Sequence, residues 1–89
     1  MATNEQMIKE LCKVLAKTNS EKDIKDLLED LCTNKEVEQM AQRIKTAELL
    51  LEGKTYVEVM EEVNVSSATL SRVSRCIQYG KGYNKVLKK

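Results

Sequence analysis

A run of small polar residues that contains two arginines is the part of this sequence best suited to binding chemistry. It extends from Ser66 to Arg75 and reads SSATLSRVSR. Serine and threonine hydroxyls both donate and accept hydrogen bonds, and arginine guanidinium groups bind phosphate or a guanine edge through two parallel hydrogen bonds. Because proteins read a double helix with these groups, nucleic acid is the first ligand class to consider.

The same run has helical periodicity, which determines where its polar side chains point. Leu70, Val73 and Ile77 recur at spacings of three and four, so they form a buried stripe on one face of a helix. Ser66 is suited to cap this helix, because its hydroxyl can accept a hydrogen bond from an amide of the first turn. The polar residues lie on the opposite face, and a helix with a small polar front fits a DNA major groove.

A shorter helix precedes it, and together the two predict a helix-turn-helix over about residues 55–78. Val59 and Val63 are four residues apart and share one helix face. Asn64 is a residue type that tolerates a left-handed backbone in a tight turn, and Val65 can fill the gap between the helices. An ordinary helical hairpin would show the same pattern, so charge is needed to choose between them.

Charge is distributed unevenly, although the net charge is only +1. Residues 66–89 contain six basic residues and no acidic one, whereas residues 1–53 contain eight basic and eleven acidic residues. Phosphate contacts require such a basic region, so we expect the C-terminal third to bind DNA. Lys88 and Lys89 taken alone are more typical of a solvated tail.

Composition argues against several other classes of protein. The chain has no histidine, and Cys12, Cys32 and Cys76 are too widely spaced for a zinc site. We find no glycine-rich phosphate loop and no nucleophile paired with a base, so we expect neither an enzyme nor a cofactor. Three tyrosines are the only aromatic residues, which argues against stacking on single-stranded RNA. Unpaired cysteines, no signal peptide and no apolar run of ~20 residues predict a cytoplasmic protein without membrane contact.

Helical spacing and the absence of proline predict an all-α fold with four further helices. Their apolar stripes hold more surface than a compact monomer of 89 residues can bury. We therefore expect a single domain of residues 1–89 that forms an interlocked homodimer. The four helices cover residues 4–17, a segment after Ser20, residues 33–52 with Gly53 as the stop, and residues 83 to about 88.

About half of the chain resembles the trp repressor family, and more closely the small trp-repressor-like proteins of Gram-positive bacteria. The resemblance runs from Leu31 to Ile77, with one residue missing near Lys54. Its landmarks are LCTNKEVEQMAQRI, LLLEG, TYVEV and SSATLSR. The matching residues are Thr33, Arg43, Leu50, Leu51, Gly53, Glu58, Ala68, Thr69 and Arg72.

This resemblance implies six helices in an intertwined homodimer, with a helix-turn-helix on each flank. The first helix of the helix-turn-helix would then be residues 56–63, and the recognition helix would be residues 66–78. Small residues at the start of the recognition helix would approach DNA. The trp repressor that gives the family its name is a helix-turn-helix protein whose base contacts are mostly mediated by water. The predicted DNA-binding residues are Lys54, Thr55, Ser66, Ser67, Ala68, Thr69, Ser71, Arg72 and Arg75.

The resemblance also implies an effector pocket formed by Thr33, Arg43, Arg72, Val73 and Cys76. In relatives that bind tryptophan, two arginines flank the indole, a glycine follows the second arginine, and a serine assists. Here Val73 stands at the glycine position and Cys76 at the serine position, so a valine side chain would overlap the ring. We expect no response to tryptophan, and any small-molecule effector is unidentified. Alternatively, one arginine pairs with a carboxylate and the other holds phosphate.

These observations favour a transcriptional regulator of the trp-repressor type, acting on double-stranded DNA and most simply as a repressor. A dimeric protein-interaction module is the alternative, since +1 is a low net charge for a DNA-binding protein. An amino-acid sensor without DNA binding is a third hypothesis, which Val73 disfavours. A salt-dependent shift with random duplex DNA would discriminate among them, because phosphate contacts release counterions.

Overall fold

The chain folds into six α-helices, which confirms the all-α class predicted from the sequence. A computed structural model describes residues 1–88, and within that range there is no β-strand; Lys89, half of the predicted lysine tail, lies outside the described residues. No helix in this range is long and apolar enough to cross a membrane. The helices are α1 (Asn4–Lys17), α2 (Glu21–Leu31), α3 (Asn34–Leu51), α4 (Tyr56–Glu62), α5 (Ser67–Tyr79) and α6 (Gly82–Leu87).

The helices belong to two compact units. The first unit, Met1–Asn34, contains α1 and α2, and the second, from Lys35 onward, contains most of α3 together with α4, α5 and α6. The organisation of residues 1–89 as a single domain stays a prediction.

Side-chain caps determine where most of these helices begin. The Ser20 hydroxyl accepts a hydrogen bond from the Asp23 amide and starts α2, as predicted. Thr3 starts α1 with a capping box, in which the Gln6 side chain accepts a hydrogen bond from the Thr3 amide. At the other end of α3, Gly53 has a φ of 93°. This left-handed conformation suits glycine and reverses the chain towards α4.

The second unit has a well-packed core that fixes the helix-turn-helix. Leu49 of α3 packs with four apolar residues of the motif, and Leu50 packs against the same cluster. Thr46 is also fully buried, and its hydroxyl donates a hydrogen bond to the Gln42 carbonyl at 2.7 Å. The geometry of α4 and α5 is therefore held by α3. The four residues of the motif are Val59, Val63, Val65 and Leu70.

The turn between α4 and α5 differs from the prediction in its backbone conformation. No described residue other than glycine has a positive φ, so Asn64 does not adopt the left-handed conformation that was expected. Instead, the Val65 amide donates a hydrogen bond to the Val63 carbonyl at 2.8 Å. This bond closes a three-residue turn centred on Asn64, and the common form of such a turn needs only a negative φ. Val65 fills the space between the helices, as predicted.

A close joint connects α5 to α6. The Gly80 amide donates a hydrogen bond to the Cys76 carbonyl at 2.8 Å, and a Cβ atom at Gly80 would lie 2.6 Å from that oxygen. The Asn84 side-chain amide donates to the Ile77 carbonyl at 2.7 Å. These contacts attach α6 to the end of α5.

The first unit lacks a core of its own, because none of its residues is buried in the described chain. The apolar residues of α1 form one stripe at helical spacing, and each is between 38% and 59% exposed. An uncovered stripe of this length is unusual in a stable monomer. The stripe consists of Met7, Ile8, Leu11, Val14 and Leu15.

Candidate nucleic-acid interface

The outer face of α5 consists of small and basic side chains. Ser67, Ala68 and Ser71 are exposed over its first turn and a half, and Arg72 and Arg75 are exposed over the middle. The opposite face carries Leu70 and Val73, which are buried in the second unit. Because the backbone of α5 is held by this packing, the outer face is presented on a rigid element.

Neither arginine of this face is engaged by a carboxylate of residues 1–88. The ion pair of the first unit joins Lys22 and Asp26, and no ion pair in the described chain involves Arg72 or Arg75. Because neither guanidinium group has an internal ion pair to break, each can donate hydrogen bonds to an external anion without that loss. Within the described residues, the alternative that Arg72 pairs with a carboxylate therefore has no support.

Ser66 and Thr69 interact with each other at the start of α5. The Ser66 hydroxyl accepts a hydrogen bond from the Thr69 amide and donates one to the Thr69 hydroxyl, both at 3.1 Å. Thr69 is partly buried at the edge of this face, and its contact with DNA stays a prediction. Its hydroxyl proton is not used in these bonds, and Thr69 can still donate to a ligand at the edge of the face.

Lys54 and Thr55 lie at the start of α4, where Thr55 forms a capping box with Glu58. The Glu58 carboxylate accepts a hydrogen bond from the Thr55 amide at 2.9 Å, and the Thr55 hydroxyl accepts one from the Glu58 amide at 3.2 Å. The hydrogen bond from the Thr55 amide to the carboxylate, with smaller contributions from the Thr55 hydroxyl and the nearby Lys54 charge, lowers the pKa of Glu58 below its ordinary value. Thr55 is therefore a helix cap in the structure, and its contact with DNA stays a prediction.

Two residues at the end of α5 belong to the same face and were not predicted as binding residues. Gln78 is exposed, and Tyr79 is 84% exposed. Gln78 follows Ser71 by seven residues, and Tyr79 follows Arg72 by seven, which is two helical turns. The predicted recognition helix ended at residue 78, whereas α5 continues through Tyr79.

A polar cavity of about 410 Å³ lies between α3 and the start of α5. It contains Arg43 and Thr69, two of the predicted site residues, and its other walls are mostly amide and charged side chains. A cavity of this polarity suits a ligand with several hydrogen-bonding groups better than a flat apolar ring. It is lined by Lys35, Glu38, Gln39, Gln42, Arg43, Asn64, Val65, Ser66 and Thr69.

The other residues of the predicted effector pocket have different surroundings. Cys76 lines a separate apolar cavity of about 450 Å³ beside α6, with Ile44, Tyr83 and Val86. Val73 is 1% exposed, and Arg72 is exposed on the outer face. Thr33 belongs to the first unit. The effector pocket therefore stays a prediction, and its members in the second unit do not line one common cavity among those described above.

Acidic and cysteine side chains do not converge anywhere in the described part of the chain. No group of three or more histidine, cysteine, aspartate or glutamate residues there could hold a metal ion. The candidate interface is therefore defined by hydroxyl, amide and guanidinium groups on α5 and by the cavity behind it.

The sequence profile described as Trp repressor protein matches residues 6–89, nearly the whole chain. The chain belongs to the Trp repressor family. The match confirms the resemblance seen in the helix-turn-helix and extends it to α1 and α2, for which the sequence motifs gave no evidence.

Two relatives illustrate this membership of the Trp repressor family. The chain is 41% identical over 75 residues to the uncharacterised protein YerC of Bacillus subtilis (strain 168), a match that covers 81% of this chain and 72% of YerC. Its fold is similar to the crystal structure of a Staphylococcus aureus protein provisionally described as a Trp repressor. That match has a TM-score of 0.87 and 30% sequence identity, and it covers 91% of this chain and 82% of the other.

Proposed function

We propose that this member of the Trp repressor family is a cytoplasmic transcriptional regulator that binds specific double-stranded DNA as a homodimer and acts as a repressor. The observation that carries the proposal is the outer face of α5. It presents small polar side chains and two arginines without carboxylate partners in the described chain, on a helix whose other face is buried. The small residues admit close approach to base edges, directly or through water, and the arginines supply phosphate contacts.

The dimer is supported by the first unit. Its α1 stripe is exposed along the whole helix, and neither α1 nor α2 contains a buried residue. A second copy of the chain would cover these side chains and place two recognition helices on one duplex. Regulators of this family act without catalysis, and we propose the same here.

The surroundings of Arg43 and Arg72, the two arginines that match the family, support DNA binding that does not require tryptophan. Val73, which follows Arg72, is buried within the second unit, which carries α5. The cavity beside Arg43 is lined by charged and amide groups rather than by the apolar walls that an indole ring requires. An effector bound in the cavity beside Arg43 would then be a small polar molecule.

The test begins with selection of bound sites from a random duplex library, followed by salt titration on the selected site. We expect the logarithm of the binding constant to fall linearly with the logarithm of salt concentration. Arg72→Ala should weaken binding to every duplex and reduce that slope by about one unit. Lys13→Ala in the first unit makes the same change in charge and should leave the slope unchanged. Ser71→Ala should reduce the difference in affinity between the selected duplex and random duplexes. The dependence of affinity on salt concentration should not change.

Tryptophan is tested separately by calorimetry at millimolar concentration. We expect only heat of dilution, and no change in DNA affinity on its addition. Micromolar binding of tryptophan by the wild-type protein would show that an indole site coexists with Val73. Equal DNA binding by wild type and Arg72→Ala would instead show that α5 is not the recognition helix.

A further inference from the structure

The outer side of α4 carries a feature that the proposed function leaves unexplained. Val59 packs inward, whereas Tyr56, Val57 and Met60 are 46–66% exposed. At 100° per residue these three side chains lie side by side, and Glu61 adjoins them. We refer to Tyr56, Val57, Met60 and Glu61 as the α4 outer face.

Negative charge lies along one edge of this face, at Glu61, and continues from there around the exposed side of α4. Glu58, Glu61 and Glu62 are all exposed, and the seven residues of α4 include no lysine or arginine. The nearest basic residue in sequence, Lys54, precedes the helix. The hydrogen bond from the Thr55 amide favours the charged form of Glu58 and lowers the pKa of its carboxyl group.

Contact with DNA does not account for such a face. In a helix-turn-helix, the first helix crosses the sugar–phosphate backbone, where lysine, arginine or amide donors are useful. Three glutamates would repel phosphate, valine and methionine offer it no hydrogen bond, and the Tyr56 hydroxyl is the single donor among the side chains of this face. An anionic membrane surface is disfavoured for the same electrostatic reason.

We propose that the α4 outer face docks a basic amphipathic helix of another protein. An apolar row on such a helix would cover Tyr56, Val57 and Met60, and lysine or arginine beside that row would meet Glu61 and its neighbours. Charge complementarity of this kind sets orientation and rejects acidic partners. The partner is defined by its chemistry: a helix with an apolar row bordered by positive charge.

The contact is expected to be weak in free solution. Four side chains form far less than the area of a standard protein interface, which places this contact among transient encounters. Binding of both proteins to the same DNA would raise their effective concentration and make a weak contact sufficient. Only this last step rests on the proposed function; the docking itself does not require DNA.

The probe is a synthetic helical peptide with leucines on one face and lysines beside them, and its matched control has glutamate in place of lysine. We expect the lysine peptide, in low salt and without DNA, to shift the backbone amide resonances of residues 56–62 in the full-length protein. Met60→Gln and Glu61→Gln should each weaken binding by roughly tenfold, a change of about 1.4 kcal/mol. Glu10→Gln in the first unit alters charge equally and should have no effect.

Several outcomes would overturn the proposal. The glutamate peptide could bind as tightly as the lysine peptide, or the amide resonance shifts could be confined to helices other than α4. The third such outcome is an affinity for the lysine peptide that neither Met60→Gln nor Glu61→Gln changes. If the wild-type protein alone associates beyond a dimer and Met60→Gln abolishes that association, the occupant is a second copy of this chain. Arg72→Ala should bind the peptide as wild type does. If DNA binding fails while peptide binding persists, the docking surface stands and only its use on shared DNA is lost.

Discussion

The two units of the chain differ in where they bury apolar side chains. The second unit has an internal core in which Leu49, Val59 and Leu70 are buried, whereas no described residue of the first unit is buried. The helix-turn-helix is thus supported by the core of its own unit. The first unit instead presents an uncovered apolar stripe on α1, which the dimer proposal assigns to contact with a second copy of the chain. Sequence periodicity alone does not distinguish these two uses, because both require apolar residues at spacings of three and four.

The largest expected effect comes from placing a charge in the α1 stripe. In the proposed dimer, Leu11→Glu would remove an apolar contact worth about 1.5–3 kcal/mol from each of the two copies. Sedimentation should then report the 10.1 kDa chain instead of a species of twice that mass. Lys13→Gln lies on the opposite side of α1 and should leave the mass unchanged. A Leu11→Glu protein that remains a stable dimer would assign the stripe another role.

The second unit is tested at its core by Leu70→Ala. Leu70 is fully buried, so the substitution should cost about 2–5 kcal/mol in the free energy of unfolding. Chemical denaturation of the variant and the wild type at the same protein concentration measures this loss. Met60→Ala, at an exposed position of the same unit, should cost much less. Equal losses at the two positions would mean that the second unit has no core of its own.

The joint between α5 and α6 contains two glycines at which substitution by alanine should change stability in opposite directions. Gly80→Ala would bring a Cβ atom to 2.6 Å from the Cys76 carbonyl oxygen, a fixed backbone atom. We expect a loss of about 1–3 kcal/mol, which is typical of overpacking. Gly82 has open space around it and begins α6, so Gly82→Ala should stabilise the protein by about 0.4–1 kcal/mol. Thermal unfolding should therefore show a lower melting temperature for Gly80→Ala and a higher one for Gly82→Ala.

The helices α1 and α4 both begin with a threonine capping box, so the same substitution can be used to compare the stability of the two units. Thr55→Ala removes the cap of α4, which packs on the core, and should lower global stability by about 1 kcal/mol. Thr3→Ala removes the same cap from α1, where unfolding of the first turn exposes no core residue. Hydrogen exchange should show local fraying of α1 in that variant, with global stability nearly unchanged. Equal global losses would contradict the proposed difference between the units.

The smallest expected effect depends on pH at the α4 cap. The pKa of Glu58 is lowered in the folded state, mainly by the hydrogen bond from the Thr55 amide. Its contribution to stability is therefore present above the unfolded pKa and is lost as pH falls through the folded pKa. NMR titration of the Glu58 carboxyl group should give a pKa below the ordinary glutamate value, and Thr55→Ala should raise it. An unshifted pKa in the wild-type protein would show that the capping box is open in solution.

Much of the fold was predictable because its determinants are local. Ser20 and Ser66 act as caps, as residue type indicated, and Gly53 follows α3 with the expected left-handed backbone. Asn64 was assigned the wrong backbone conformation, because residue type reports a tolerated conformation and not the hydrogen bond that closes the turn. That bond depends on where Val63 and Val65 are packed, which is a tertiary property.

The candidate site was predictable only in outline. Helical spacing identified the outer face of α5, and extension of that spacing by two turns would have found Gln78 and Tyr79. The half-burial of Thr69 could not be predicted in this way, because it depends on the distance between α3 and the turn. The exposed apolar residues of α4 were also overlooked, since Val59 and Val63 account for the buried side and say nothing about the outer one.

On the dimer proposal, the uncovered stripe of α1 makes folding of this protein a second-order process. Completion of the first unit would wait for a second chain, so refolding should be faster at higher protein concentration and the measured stability should rise with it. A cell that holds few copies of the chain would then contain a fraction of incompletely folded molecules. The amount of protein synthesised would itself set how much of it is able to act.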